Sequence, residues 1–243
     1  MPTWRLLRFD DRVSLVEQCA GLLLTAMIER QADNGSVSLC LTGGELANDI
    51  YDRLAATAPA SALDVGNVHL WWNWDAFVAT DNPGRNSLQA LSRLGGALPL
   101  DPAKIHPIPS SSVAPDPEAG AAQYAQELAE ASPIDICLLE LGPQGQIAGL
   151  CSRHPATGAA SLVAGITDAS LTEKQIVTMT RSGLNACRDI WILASGDAVA
   201  SQTRQAIDRD PTLPTSELTG SSSVLWLVDD AAAAQVPFHH CSL

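Results

Sequence analysis

Short runs of consecutive apolar residues punctuate this chain, and a stretch with helical spacing follows each. The main runs are SVSLCL (36–41), NVHLWWNW (67–74), IDICLLEL (134–141), DIWILAS (189–195) and VLWLV (224–228). They lack the polar alternation of a half-exposed strand, so each reads as a strand buried on both faces. Helical spacing appears over 11–32, through Leu15, Cys19, Leu22 and Met27, and over 45–57, through Leu46, Ile50 and Leu54. It recurs over 87–95, 117–131 and 197–208. KIHPIP reads as a short extended piece, QIVTMT (175–180) as a further strand, and the alanine-rich stretch after 228 as a last helix. Strands alternating with helices predict an α/β fold with a mostly parallel sheet flanked by helices on both faces. SSSVAPDPEAG (110–120) is the most linker-like stretch and reads as a surface loop, so 1–243 is read as one domain.

Ligands of such sheets bind outside the carboxyl ends of the strands. That points to three loops: Thr42–Glu45, Asp75–Asn86 and Gly142–Arg153. The third follows a strand that breaks at Gly142-Pro143 and is expected to open into a helix. Its polar residues are Gln144 and Gln146, which neither carry charge nor take a proton near neutral pH.

Charge excludes several partners. The 27 acidic residues against 14 basic ones give a formal net charge of −13, which repels nucleic acid and anionic lipid. The same field opposes a phosphorylated ligand unless local cations overcome it. The six cysteines form no C-x-x-C pair, which reads as a reduced, cytoplasmic protein. MPTWRLLRFDDR lacks the apolar core of a signal peptide, and AGLLLTAM is too short to span a bilayer. His239-His240-Cys241 lacks a fourth ligand, so no metal is expected, and no nucleotide, zincin or nucleophile-elbow motif calls for a cofactor.

The order of motifs resembles the 6-phosphogluconolactonase family over nearly the whole chain. The resemblance runs through TGGELANDIYDRL, VHLWWNWDAFVATDNPGRNS, KIHPIP, IDICLLELGPQGQIAGLCSRHPA, IVTMTRSGLNACRDIWILASGDAVA and LPTSELTGSSSVLWLVDDAAA. It implies the fold shared with glucosamine-6-phosphate deaminases, and metal-free hydrolysis of a sugar-phosphate lactone in the pentose phosphate pathway. It also implies a substrate or phosphate site around Thr42, Gly43, Gly44, Gly142, Gly145 and His154.

The functional loops depart from the family pattern. The first loop keeps Thr42, Gly43 and Gly44 but continues with Glu45 where the family has a hydroxyl. The family's phosphate-gripping arginine position is Ala76, and its phosphate-binding lysine position is Val199. The general-base histidine position is Gln146. Loss of a base removes typically about 10²–10⁴-fold in rate, and each lost charge-assisted phosphate contact removes roughly 1.5–3 kcal/mol. Arg85 and Arg153 are candidate replacement cations, and Asp75 is a candidate base. Trp74 is a candidate plug for the old pocket. Three readings stand: a weak or inactive lactonase homologue, a non-catalytic protein that binds a metabolite or a pathway enzyme, and a hydrolase shifted to a less anionic substrate.

Overall fold

The computed structural model of the chain describes residues 3–150, 159–168 and 174–237. The strands are β1 (Thr3–Phe9), β2 (Val37–Leu41), β3 (Val68–Trp72), β4 (Trp74–Ala76), β5 (Ile105–His106), β6 (Ile136–Glu140), β7 (Val163–Thr167), β8 (Gln175–Met179), β9 (Asp189–Ala194) and β10 (Ser223–Asp229). The helices are α1 (Arg12–Asn34), α2 (Glu45–Thr57), α3 (Asn86–Leu94), α4 (Pro117–Glu130), α5 (Arg181–Ala186) and α6 (Ala200–Ile207). Seven strands form a sheet in the order β1-β10-β9-β6-β2-β3-β5, and all its pairings are parallel. A second, antiparallel sheet has the order β4-β8-β7. Among the described residues, no helix is long and apolar enough to cross a membrane.

The unbroken apolar strands are explained by cover on both sides of the large sheet. Leu39, Val68 and Leu70 meet Met27, Leu54 and Leu94 from α1, α2 and α3 on one face. On the other, Trp71 packs against Tyr124 of α4, ring centroids 5.9 Å apart, and Cys40 meets Met179 of β8 at 3.8 Å. Helix starts follow the local chemistry. Asp11 accepts the Ser14 amide at 2.8 Å before α1, and Asp116 accepts the Ala119 amide at 2.7 Å before α4, whose first residue is proline.

The expected strand over 67–74 divides at Asn73. This residue hands the chain from one sheet to the other. Its amide nitrogen donates to Leu41 O at 3.0 Å, its carbonyl accepts from Met179 N at 2.7 Å, and its Nδ2 donates to Leu138 O at 2.6 Å. Two expected helices are turns. The alanine stretch after β10 winds through turns over 230–235. After Gly142 no helix forms up to Leu150; Ala148 (φ 49°) and Gly149 (φ 71°) instead make a tight turn that bridges Ile147 to Leu150. β1 and β7 have no counterpart in the sequence reading. β1 is an edge strand, exposed at its start and half-buried beyond, so its pattern carries little apolar signal.

β7 is pressed against the start of α4. A Cβ added at Gly165 would lie 2.2 Å from the carbonyl carbon of Pro117 and 2.4 Å from the amide nitrogen of Glu118. Backbone at that distance cannot turn aside, so Gly165→Ala is expected to lower stability by about 1–3 kcal/mol in urea unfolding, the usual range for overpacking. A loss below about 0.5 kcal/mol, the scale of an ordinary surface change, would show that α4 slides freely on this sheet.

Candidate functional site

Three turns converge at the carboxyl end of the large sheet: Thr42–Gly44 after β2, Glu140–Gln146 after β6, and Ser195–Gly196 after β9. In each, backbone that a ligand could use is already engaged by the chain itself. Thr42 is buried, its amide donates to Tyr51 Oη at 2.9 Å, and its carbonyl accepts from the same hydroxyl at 2.9 Å. Its backbone is therefore not offered to a ligand. Gly43 and Gly44 are close-approach positions. An added Cβ would lie 2.0 Å from Asn86 Oδ1 at Gly43 and 2.2 Å from Glu140 Oε2 at Gly44.

Glu140 is the residue that the sequence reading passed over. It ends β6, and its Oε2 accepts the Ala47 amide at 2.9 Å in the first turn of α2. A side-chain carboxylate thus occupies a helix N-terminus, where free amides and the helix dipole favour an anion. Burial raises its carboxyl above the ordinary range; the Ala47 and Leu46 amides and Arg12 pull it back, and Glu45 pushes it up. Its signal in the sequence was one charge inside the apolar run CLLEL.

The third loop is closed by its own side chain. Gln146 Oε1 accepts the Gln144 amide at 2.9 Å, and Nε2 stands 2.1 Å from where a Gly142 Cβ would be. The Gly142 amide donates to Gln146 O and the Gly145 amide to Gly142 O, both at 2.9 Å. Gly145 (φ 76°) packs on Leu213, 2.5 Å from an added Cβ. Trp74 packs with Leu150, Ile166 and Ile176 in a small cluster beside Gly149. Arg153 and His154 lie outside the described residues, as does His239-His240-Cys241.

Asp75 and Arg85 do not take the roles expected of them. Asp75 is fully buried and accepts from Asn86 N at 2.7 Å, Ser87 Oγ at 2.6 Å, Ser87 N at 3.3 Å and Ala76 N at 3.0 Å. It anchors the start of α3 and has no access to a water that it could activate. Burial raises its carboxyl above the usual range, against the pull of Arg85 and Ser87. Arg85 is buried too. Its Nη2 lies 2.9 Å from Asp75 Oδ2 and donates to Ile108 O at 2.5 Å, and its Nε donates to Ser87 Oγ at 3.2 Å. These bonds hold it away from the cleft as a staple between two loops.

The remaining positions tell the same story. Ala76 and Val199 are 2% and 5% exposed, so a long cation at either position has to displace packed neighbours. Gly196 (φ 89°) donates its amide to Asp229 at 3.0 and 3.1 Å, and Asp229 also accepts Ala232 N at 2.7 Å. Among the described residues, no group of three or more His, Cys, Asp or Glu could hold a metal ion. The buried pair predicts that Arg85→Ala strands Asp75 without its counter-charge. Urea unfolding is expected to show a loss of about 3–5 kcal/mol, whereas a loss under about 1 kcal/mol would mean that solvent reaches Asp75.

The sequence pattern of the family described as glucosamine-6-phosphate isomerases/6-phosphogluconolactonase matches residues 10–226. The 6-phosphogluconolactonase of Streptomyces coelicolor is 33% identical over 241 residues, covering 93% of this chain and 92% of that protein. That of Mycobacterium tuberculosis is 30% identical, covering 94% and 97%. The crystal structure of the Thermotoga maritima 6-phosphogluconolactonase superposes with a TM-score of 0.83 at 18% identity, covering 93% of this chain and all of that one, which bears on the fold alone. With the order of its strands and loops, these matches show that the chain belongs to the glucosamine-6-phosphate isomerase/6-phosphogluconolactonase family.

Proposed function

We propose that this chain is a 6-phosphogluconolactonase homologue in which hydrolysis of the phosphorylated lactone is weak or absent. The observation that carries this reading is the carboxylate of Glu140 seated on the first turn of α2. In a ligand site built around Gly43-Gly44, that turn is where a phosphate would be held. The block is steric as well as electrostatic, so it stands whether the carboxyl is ionised or not. Two further features support the reading. Gln146, at the base position, is folded onto its own loop, and a primary amide cannot take the proton of an attacking water. Asp75, the other candidate base, is enclosed by its own hydrogen bonds.

A protein of this kind binds a metabolite or an enzyme of the same pathway without turning it over. A second reading, a hydrolase for a less anionic lactone, draws on the same carboxylate: Glu140 excludes a phosphate from the first turn of α2, whereas a lactone that carries no group there does not meet the block.

An assay on 6-phosphogluconolactone, corrected for spontaneous hydrolysis and run beside the Streptomyces coelicolor relative, is expected to show a rate lower by about 10²-fold or more. A rate equal to the relative's would overturn the proposal. Gln146→His alone is expected to recover little, because the phosphate still has no place to sit.

The block itself is tested by Glu140→Ala. This variant frees the α2 amides, so inorganic phosphate is expected to raise its melting temperature while leaving the unaltered protein where it was. Equal protection of both proteins would show that phosphate binds elsewhere and that Glu140 is not the obstacle.

A further inference from the structure

Two histidines meet at one edge of the large sheet, away from the carboxyl-end loops. His69 lies on β3 and His106 on β5, the two-residue strand that ends the sheet. Both are half-buried. Their rings are within 9° of parallel, and His69 Nδ1 stands 3.2 Å from His106 Nε2. On its other side His106 Nδ1 lies 2.6 Å from Glu127 Oε1 of α4. The His106 ring also stacks on Trp71 at 3.9 Å and 7°.

Two ring nitrogens at that distance need one hydrogen between them, and only one. With none, two lone pairs face each other; with two, N–H faces N–H. The count is the same whichever ring supplies the hydrogen. An imidazolium carries a hydrogen on both nitrogens. The contact therefore survives with both rings neutral or with one cationic, and it is lost when both are cationic.

The charges around the pair set where that happens. Glu127 and Glu130 of α4 line the same pocket as the two rings and favour a cation there. Asp101, ahead of β5, does the same for His69. Asp135, on the far side of β2, is engaged by the Ser38 amide at 2.9 Å. Lys104 opposes a further cation, and its Nζ donates to Gly66 O and Asn67 Oδ1. Burial, then His106 and Lys104, hold His69 below the ordinary histidine range. A base whose folded value is lowered stabilises the fold at higher pH, and that contribution fades as pH falls through the unfolded value of about 6.5.

β5 is the element that yields. It pairs with β3 at two register positions, Leu70 with Ile105 and Trp71 with His106, whereas β2 holds β3 along its whole length. Two residues beyond His106, Ile108 O accepts from Arg85 Nη2 at 2.5 Å, so the edge strand lies on the segment that carries the Arg85 staple.

We propose that the His69–His106 contact is a proton-sensitive latch on the edge strand: it holds while one proton lies between the rings, and entry of a second releases β5 from β3. The latch is independent of what the carboxyl-end loops bind.

The test follows the full chain between about pH 8 and pH 5, the span over which histidine changes charge. Ring-nitrogen magnetic resonance signals of His69 and His106 report the protons. Amide exchange, expressed as protection relative to the unfolded chain, reports the strands. Protection at β5 is expected to fall as the second ring becomes cationic, by about tenfold per pH unit below about 6.5, the linkage of one proton taken up on release. Protection where β9 meets β10 is expected to stay level. His69→Gln keeps an amide beside His106 but takes up no proton, so β5 of this variant is expected to keep its protection across the span. If the variant fails to fold, the unaltered chain decides: two cationic rings with β5 still protected overturn the proposal. So does a loss of β5 protection that is the same in the unaltered chain and in His69→Gln.

Discussion

Carboxylates accepting backbone amides hold the carboxyl end of this sheet together. Glu140 takes the first turn of α2, Asp75 the first turn of α3, and Asp229 the amide of Gly196. A hydrogen bond to a charged acceptor contributes roughly 1.5–3 kcal/mol, and an anion at a helix start adds about 0.3–1 kcal/mol through the dipole. Each also removes the alternative, a buried amide with no partner, which costs about 1–3 kcal/mol. The architecture at this end is self-contained because side chains of the strands and their loops meet the donors that the helices leave unpaired.

That arrangement has a chemical consequence. The amides that face the carboxyl ends of parallel strands are the usual place for an anionic ligand. Here the anions are part of the chain. The net charge of −13 already opposes a phosphate approaching from solvent, and among the described residues the site's arginines are engaged by the chain itself. Arg85 is the clearest case. An arginine between Asp75, Ser87 and Ile108 O stabilises the loop geometry that α3 needs, and its five donors are directed into protein. Arg12, the cation that bears on Glu140, hydrogen-bonds Asp49 at 2.7 and 3.1 Å.

Most of the fold was legible because parallel strands buried on both faces write continuous apolar runs. β2, β6, β9 and β10 appear within two residues of where the runs place them, and α2 spans its expected range. The elements that escaped detection have physical reasons. β1 is an edge strand with a half-wet face, and β7 contains Ala164 and Gly165, where α4 crosses too closely for a side chain. The alanine stretch after β10 has the propensity of a helix but is drawn into turns, with Asp229 accepting the Ala232 amide. The site was legible only in outline. Loop positions follow from strand ends, but which atom bonds which depends on contacts across long separations, such as Glu140 on Ala47 or Arg85 on Ile108.

The retained glycines show why a motif can survive its chemistry. A glycine permits close approach to the backbone, and it carries no information on what approaches. Gly44 makes room for a carboxylate that the chain supplies from β6, and Gly43 makes room for the amide of Asn86. Gly142 accommodates the side chain of Gln146, which returns to accept the Gln144 amide. At Gly44 the backbone itself (φ 133°) favours glycine whether or not a substrate is ever bound, whereas at Gly43 and Gly142 a larger residue would have to displace the end of the Asn86 or Gln146 side chain. Reading function from such a loop therefore rests on the ionisable residues beside the glycines. In this chain Glu140, Asp75 and Arg85 are turned inward and hold the loops.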